Sequence, residues 1–122
     1  MNEPTLAAGA NLAVGEVNLA VVGIGRMGCG IALSFAYAGY PVTLIDSEER
    51  SEQAFDELVR NTAPAIQADL EFLKTVGAVS AEQSADIFAR IHFIARNAAA
   101  ESLARADFIF EAVSEVVEIK PS

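Results

Sequence analysis

The chain has 122 residues, 52% of them hydrophobic, enough for one domain with a buried core and too apolar for a disordered chain. Its net charge of −9 (pI near 4.4) repels phosphate backbones and excludes nucleic acid as a partner; no apolar run reaches the ~18 residues of a membrane span. A single cysteine, Cys29, rules out an internal disulfide, provides no metal-ligand cluster and suits a reducing, cytoplasmic setting.

Residues 1–15 carry Glu3 early and no basic segment, so they read as a soft tail and not as a signal peptide; one domain is expected over 16–122. "VNLAVVG" (17–23) is short, apolar and β-branched, the pattern of a strand buried on both faces. "MGCGIALSFAYAG" (27–39) follows with apolar residues at helical spacing and Gly39 as its stop. "YPVTLID" (40–46) reads as a second buried strand, with Pro41 at its entrance, where no ladder N–H is needed. Over 48–76, Phe55, Leu58, Val59, Ile66, Leu70, Leu73 and Val76 fall near a 3.6-residue period, predicting helix. Pro64 interrupts that pattern, and a break with a restart near 62–64, capped by Thr62, is expected. Glu48, Glu49 and Glu52 are expected in the first turn, as a solvated acidic face. After Gly77, "SAEQ" (80–83) has capping-box form and opens a short helix to about Phe88. "RIHFIA" (90–95) is a third strand, "AAAESLARA" (98–106) one or two helical turns, and "DFIFEAV" (107–113) a fourth strand.

The order β-α-β-α-α-β-α-β means crossover connections and a parallel sheet: a Rossmann-type, doubly wound α/β fold of about four strands, incomplete relative to the full fold. Gly23, Gly25 and Gly28 stand in G-x-G-x-x-G spacing between the first strand and the first helix. Gly23 permits the turn off the strand, Gly25 leaves room for a pyrophosphate at the backbone, and Gly28 lets helix and strand pack closely. The helix N-terminus then offers free N–H groups and a positive dipole end to the phosphates. Gly30 adds a further close-packing position. Asp46 ends the second strand 18 residues after Gly28, where a carboxylate accepts hydrogen bonds from an adenosine ribose diol and repels a 2′-phosphate, favouring NAD over NADP. Arg50, close by, is the kind of residue that accommodates such a phosphate.

These stretches resemble the N-terminal NAD-binding domain of the 3-hydroxyacyl-CoA dehydrogenases. "VVGIGRMGCGIALSFAYAGYPVTLID" and "ARADFIFEAVSEVVEIK" carry the resemblance, and the spacer "FLKTVGAVSAEQSADIFARIHFI" fits it; together it covers residues 17–120. The resemblance implies NAD as cofactor, held by Gly23, Ile24, Gly25, Arg26, Met27 and Gly28 at the pyrophosphate and by Asp46 at the ribose. It implies further that Ala112 and Val113 border the cofactor and that Glu115 and Lys120 line the nicotinamide end. The implied reaction is oxidation of a 3-hydroxyacyl-CoA to the 3-oxoacyl-CoA in fatty acid metabolism. Members use a catalytic His paired with a Glu, and nearby Ser and Asn residues, all beyond the point matched by Ser122; their helical C-terminal domain supplies most of the dimer interface and much of the acyl site. The expectation is a chain truncated before the catalytic residues, which binds NAD(H) without turning over substrate. It meets acyl-CoA only with the missing domain, and the partner expected besides NAD(H) is a second copy, as a homodimer.

Carnitine and gulonate dehydrogenases would share this N-terminal half. "GIGRMG" also resembles the 6-phosphogluconate and 3-hydroxyisobutyrate dehydrogenases, although that group moves sooner to its third strand. A non-catalytic dinucleotide-binding module is the reading from outside the enzymes. His92, the one histidine, is expected to be a strand residue with a satisfied hydrogen bond. Cys29 near a helix N-terminus is a small packing residue or, with a lowered pKa, a redox group. Arg26 is either solvated or set against a phosphate or adenine; Glu111 is either a buried strand-end carboxylate or a surface one. Arg60, Lys74 and Arg90 are few for coenzyme A phosphates, and none is assigned to them.

Overall fold

The computed structural model describes residues 17–112. Four strands, β1 (Leu19–Val22), β2 (Val42–Ile45), β3 (Ile91–Ile94) and β4 (Phe108–Glu111), form one parallel sheet in the order β3-β2-β1-β4. Between them lie α1 (Arg26–Tyr37), α2 (Glu52–Thr75), α3 (Ala81–Ala89), a 3₁₀ turn (Arg96–Ala98) and α4 (Ala100–Arg105). The expected element order is therefore present, and so is the doubly wound α/β class.

Strand side chains alternate between two faces. Leu19, Val21, Val42, Leu44 and Ile91 enter one core with Ala32 and Ala36 of α1, Ile66 and Leu70 of α2 and Ile87 of α3. Ala20 and Ile45 enter a smaller core on the other face with Ala99 and, beside them, Leu103 of α4. Covering both faces is what a parallel sheet requires, and it explains the near-continuous apolar runs of β1 and β2. The helices change faces between the crossovers to β2 and β3 and the crossover to β4. The switch point of the topology thus lies between β1 and β4, where doubly wound sheets open a crevice at their carboxyl ends.

The expected break at Thr62–Pro64 is absent. α2 runs unbroken from Glu52 to Thr75 with Pro64 inside it. Ile66 and Leu70 lie beyond the proline and are 1% and 0% exposed. Burying each stabilises by about 1.5–3 kcal/mol, together more than the ~3 kcal/mol an interior proline costs, so tertiary packing holds the helix on one axis. The helix begins at Ser51, whose Oγ accepts the Ala54 N–H at 3.0 Å. Only Glu52 lies in its first turn; Glu48 and Glu49 precede the cap, a correction to the expected acidic turn. The capping box of α3 forms as expected, with Ser80 Oγ accepting the Gln83 N–H (3.0 Å) and Gln83 Oε1 accepting the Ser80 N–H (2.8 Å).

Gly30 is not a close-packing position. A Cβ there would meet nothing within 4 Å, and the residue is exposed; its carbonyl accepts the Ser34 hydroxyl at 2.9 Å. His92 is exposed on β3, an outer strand, and its side chain has no hydrogen-bond partner among the described residues, against the satisfied bond expected. Glu111 is exposed, which resolves its alternatives, and Phe108 and Ile109 on the outer strand β4 are 57% and 47% exposed. Arg90 donates to the Ala36 carbonyl at 2.8 Å and so closes the C-terminal end of α1; Lys74 pairs with Glu71 at 3.2 Å.

Candidate functional site

The register of the sheet builds the site. Val22 stands opposite both Ile45 and Glu111, so the residues that follow these three strands, Gly23, Asp46 and Ala112, emerge along one edge. Backbone bonds fix them there: Gly23 N–H to the Ile45 carbonyl (2.7 Å), Asp46 N–H to Ile94 (3.0 Å) and Ala112 N–H to Val22 (2.8 Å). Past this row the chain turns at Gly23 with φ +117°, a region L side chains rarely adopt, and enters α1.

Gly25 is the N-cap of α1, in extended conformation (φ −125°, ψ −166°). It has no side chain to cap the helix, and no acid lies in the first turn. The first N–H with a partner inside the helix is that of Cys29, which donates to the Gly25 carbonyl at 2.9 Å. The N–H groups before it have no partner within the helix, the kind of helix end that favours anions. Gly28 lies beneath this turn and is buried. A Cβ on it would overlap the Gly23 carbonyl oxygen and sit 3.6 Å from Val21 Cγ1, so glycine is demanded by the close approach of α1 to the end of β1.

Gly23, Ile24, Gly25, Arg26 and Met27 line one cleft with Asp46, Ser47, Glu48, Arg50 and Ala112; it encloses about 630 Å³, within the size range of small-molecule sites. Of the residues expected in the site, the structure thus brings together all of those it describes, with Gly28 forming the floor of the turn. Val113, Glu115 and Lys120 lie outside the described residues. Arg26 is exposed on the rim, with no carboxylate in ion-pair range among the described residues.

Among the described residues, Asp46 is the one charged residue that is buried, 1% exposed. Its Oδ1 accepts the Glu48 N–H at 3.0 Å, the local Asx bond that a strand-ending Asp favours, and its Oδ2 accepts Arg50 Nε at 2.6 Å. That hydrogen bond raises Arg50 above its ordinary pKa against the opposing effect of burial, with the attraction of Asp46 and Glu48 adding to it, and keeps it charged. The structure adds Ser47, Glu48 and Arg50 to the cleft. The signal was present in "DSEER": an acid followed at two and four residues by groups able to close back on it.

Cys29 is half-buried against the main core. Burial, with Asp69 adding to it, pushes its thiol above the ordinary value, opposite to the lowering a helix N-terminus would give. It is a packing residue. Alkylation of the folded chain by iodoacetamide near pH 8 is therefore expected to run about tenfold slower than alkylation of the same chain in denaturant, because the thiolate is the reacting species. Equal rates in the two states would contradict this.

A parallel α/β sheet with a glycine turn, an uncapped helix N-terminus and a strand-end carboxylate around one crevice defines a dinucleotide-binding class of domain. Residues 18–122 match the family model described as 3-hydroxyacyl-CoA dehydrogenase, NAD binding domain. The chain belongs to this family, one of NAD-dependent oxidoreductases. It is similar in structure to 3-hydroxybutyryl-CoA dehydrogenase from Escherichia coli, with 31% identity, a TM-score of 0.66, and coverage of 88% of this chain and 20% of that one. It is also similar to FadB2 from M. tuberculosis (27% identity, TM-score 0.66, 84% of this chain and 32% of that one). A third likeness is to (S)-3-hydroxybutyryl-CoA dehydrogenase from Ralstonia eutropha (27%, 0.62, 80% and 31%). The chain thus spans between a fifth and a third of the length of these proteins. No curated protein matches it. Among the described residues, no helix is long and apolar enough to cross a membrane.

Proposed function

We propose that this chain holds NAD(H) as the cofactor-binding part of an L-3-hydroxyacyl-CoA dehydrogenase. The observation that carries the proposal is the uncapped N-terminus of α1 at Gly25, open to the same cleft as the buried carboxylate of Asp46. Gly25 itself supports the fit. Neither its φ nor its packing demands glycine, since a Cβ there meets nothing within 4 Å. What a Cβ would obstruct is a ligand lying against the backbone. The free N–H groups of Gly25, Arg26, Met27 and Gly28 suit the pyrophosphate, Gly23 and Ile24 form the turn under it, and Asp46 has acceptor capacity left for the ribose diol. Ala112 and Val113 would border the cofactor, and Glu115 and Lys120 would line its nicotinamide end.

Bound nicotinamide supplies the hydride-accepting chemistry; the chain's own residues bind and orient it. Deprotonating a substrate hydroxyl needs a positioned base. His92 is no candidate, since β3 lies two strands from β1 and the side chain is not in the cleft. We therefore assign cofactor binding to this chain, and acyl-CoA contacts and dimerisation to a C-terminal domain of the kind the family uses. The lone thiol suits a cytoplasmic protein.

Titration of the purified chain with NADH, followed by nicotinamide fluorescence, tests this. Saturable binding, weakened when Asp46 is changed to Ala, is expected. A folded chain that binds no NADH would overturn the assignment.

A further inference from the structure

We propose that Arg50 is a specificity-determining residue of the cleft, placed so that the chain accepts NADPH alongside NADH. This rests on the assignment of the ribose end to Asp46. A buried strand-end carboxylate discriminates against a 2′-phosphate by repulsion and by having no hydrogen to donate. Here that carboxylate does not stand alone. Arg50 Nε donates to Asp46 Oδ2 at 2.6 Å, Arg50 Nη2 lies 3.6 Å from Glu48 Oε1, and the Arg50 side chain is 32% exposed at the cleft wall.

The electrostatic consequence follows from the charges. Asp46 and Glu48 together bring −2 to the ribose end, and Arg50 reduces this to −1, on the side chain nearest to Asp46. The hydrogen-bonding consequence follows from guanidinium geometry. Of its five N–H donors only the Nε one is hydrogen-bonded among the described residues; Nη2 faces Glu48 at ion-pair distance, and the two donors on Nη1 remain for a phosphate. Asp46 holds the fork in place while its own charge is offset. The same pair therefore keeps an acceptor for the ribose hydroxyls of NADH and presents donors for the 2′-phosphate of NADPH. Preference for NADH persists, because Glu48 and Asp46 still outweigh one arginine, but it is small.

The test is titration of the full 122-residue chain with NADH and with NADPH, for the wild type and for R50Q, R50K and D46S, with thermal melts to verify folding. The wild type is expected to bind NADPH within about tenfold of NADH, and R50Q to widen that ratio by about tenfold more, the worth of a charge-assisted hydrogen bond to phosphate. R50K, which keeps the charge but not the fork, is expected to restore part of it. D46S frees Arg50 and is expected to invert the preference toward NADPH; the D46S/R50Q double variant removes the inversion. An R50Q ratio equal to that of the wild type, or a loss of NADH binding as large as the loss of NADPH binding, overturns the proposal while NAD binding stands. A wild type that binds NADH but rejects NADPH by more than about a hundredfold does the same, since repulsion by Asp46 alone then decides. A folded wild type that binds neither overturns the cofactor assignment and this proposal together.

Discussion

Gly28→Ala is expected to destabilise the chain by about 3 kcal/mol, the upper end of the usual range for overpacking a tight contact. A methyl at position 28 would occupy the space of the Gly23 carbonyl oxygen. One of the two partners must move, and both are tied. Gly23 is held by the 2.7 Å bond from its N–H to Ile45 and by a backbone conformation with φ +117°. α1 is held by Ala32 and Ala36, both 0% exposed, whose small side chains bring the helix close to the sheet. Lifting α1 to admit the methyl would open the core around Leu44 and Val21. In a domain of this size the melting temperature should fall by roughly 12–24 °C. Gly25→Ala is the informative control. Its Cβ meets no protein atom and its backbone is ordinary for alanine, so the melt should change by under about 1 kcal/mol. NADH affinity should nonetheless drop, because the methyl projects into the cleft. A wild-type melt for Gly28→Ala would refute the packing argument, and wild-type NADH affinity for Gly25→Ala would refute the assigned place of the pyrophosphate.

The contrast between these two glycines shows how the sequence could be read and where reading stopped. Spacing alone assigned them different tasks, because a strand-turn-helix junction has only one place for close packing and one for a ligand. Strands were legible from β-branched runs such as "LAVV" and "VTLI", since burial on both faces leaves no alternation to confuse them with an amphipathic strand. The capping box at Ser80 and Gln83 was legible because it is a local hydrogen-bond exchange that needs no tertiary partner. Gly30 and Pro64 were misjudged for the opposite reason. Whether a glycine faces a neighbour, or a proline is tolerated, depends on packing between elements distant in sequence. The pairing of Arg50 with Asp46 lies between these cases. Its spacing is visible, but only the burial of Asp46 behind β2 makes a four-residue separation into a 2.6 Å bond at the cleft.

Pro64→Ala is expected to stabilise the chain by about 2 kcal/mol. The wild-type helix forgoes the N–H that would reach the Arg60 carbonyl four residues back, and the proline ring crowds that carbonyl. Alanine restores the donor and removes the crowding, a gain of about 3 kcal/mol in an unconstrained helix interior. Proline also stiffens the unfolded chain, and losing that offsets about 0.4–1 kcal/mol of the gain. Position 64 is exposed, so no buried contact is lost with the ring. The two buried residues after it, Ile66 and Leu70, already hold the second half of α2 on the core and should stay where they are. The expected readout is a melting temperature higher by roughly 8–16 °C with an unchanged denaturant slope. A fall in stability would mean that the continuous helix depends on the bend a proline imposes. That outcome would bear on the cleft as well, because Asn61, Thr62 and Ala65 face Ile24, Gly25 and Arg26 across a second cavity of about 440 Å³ beside the glycine turn. NADH titration of the same variant separates the two possibilities. Unchanged affinity with higher stability marks Pro64 as a local cost, whereas weaker affinity with higher stability marks it as the residue that sets the wall behind the phosphate site.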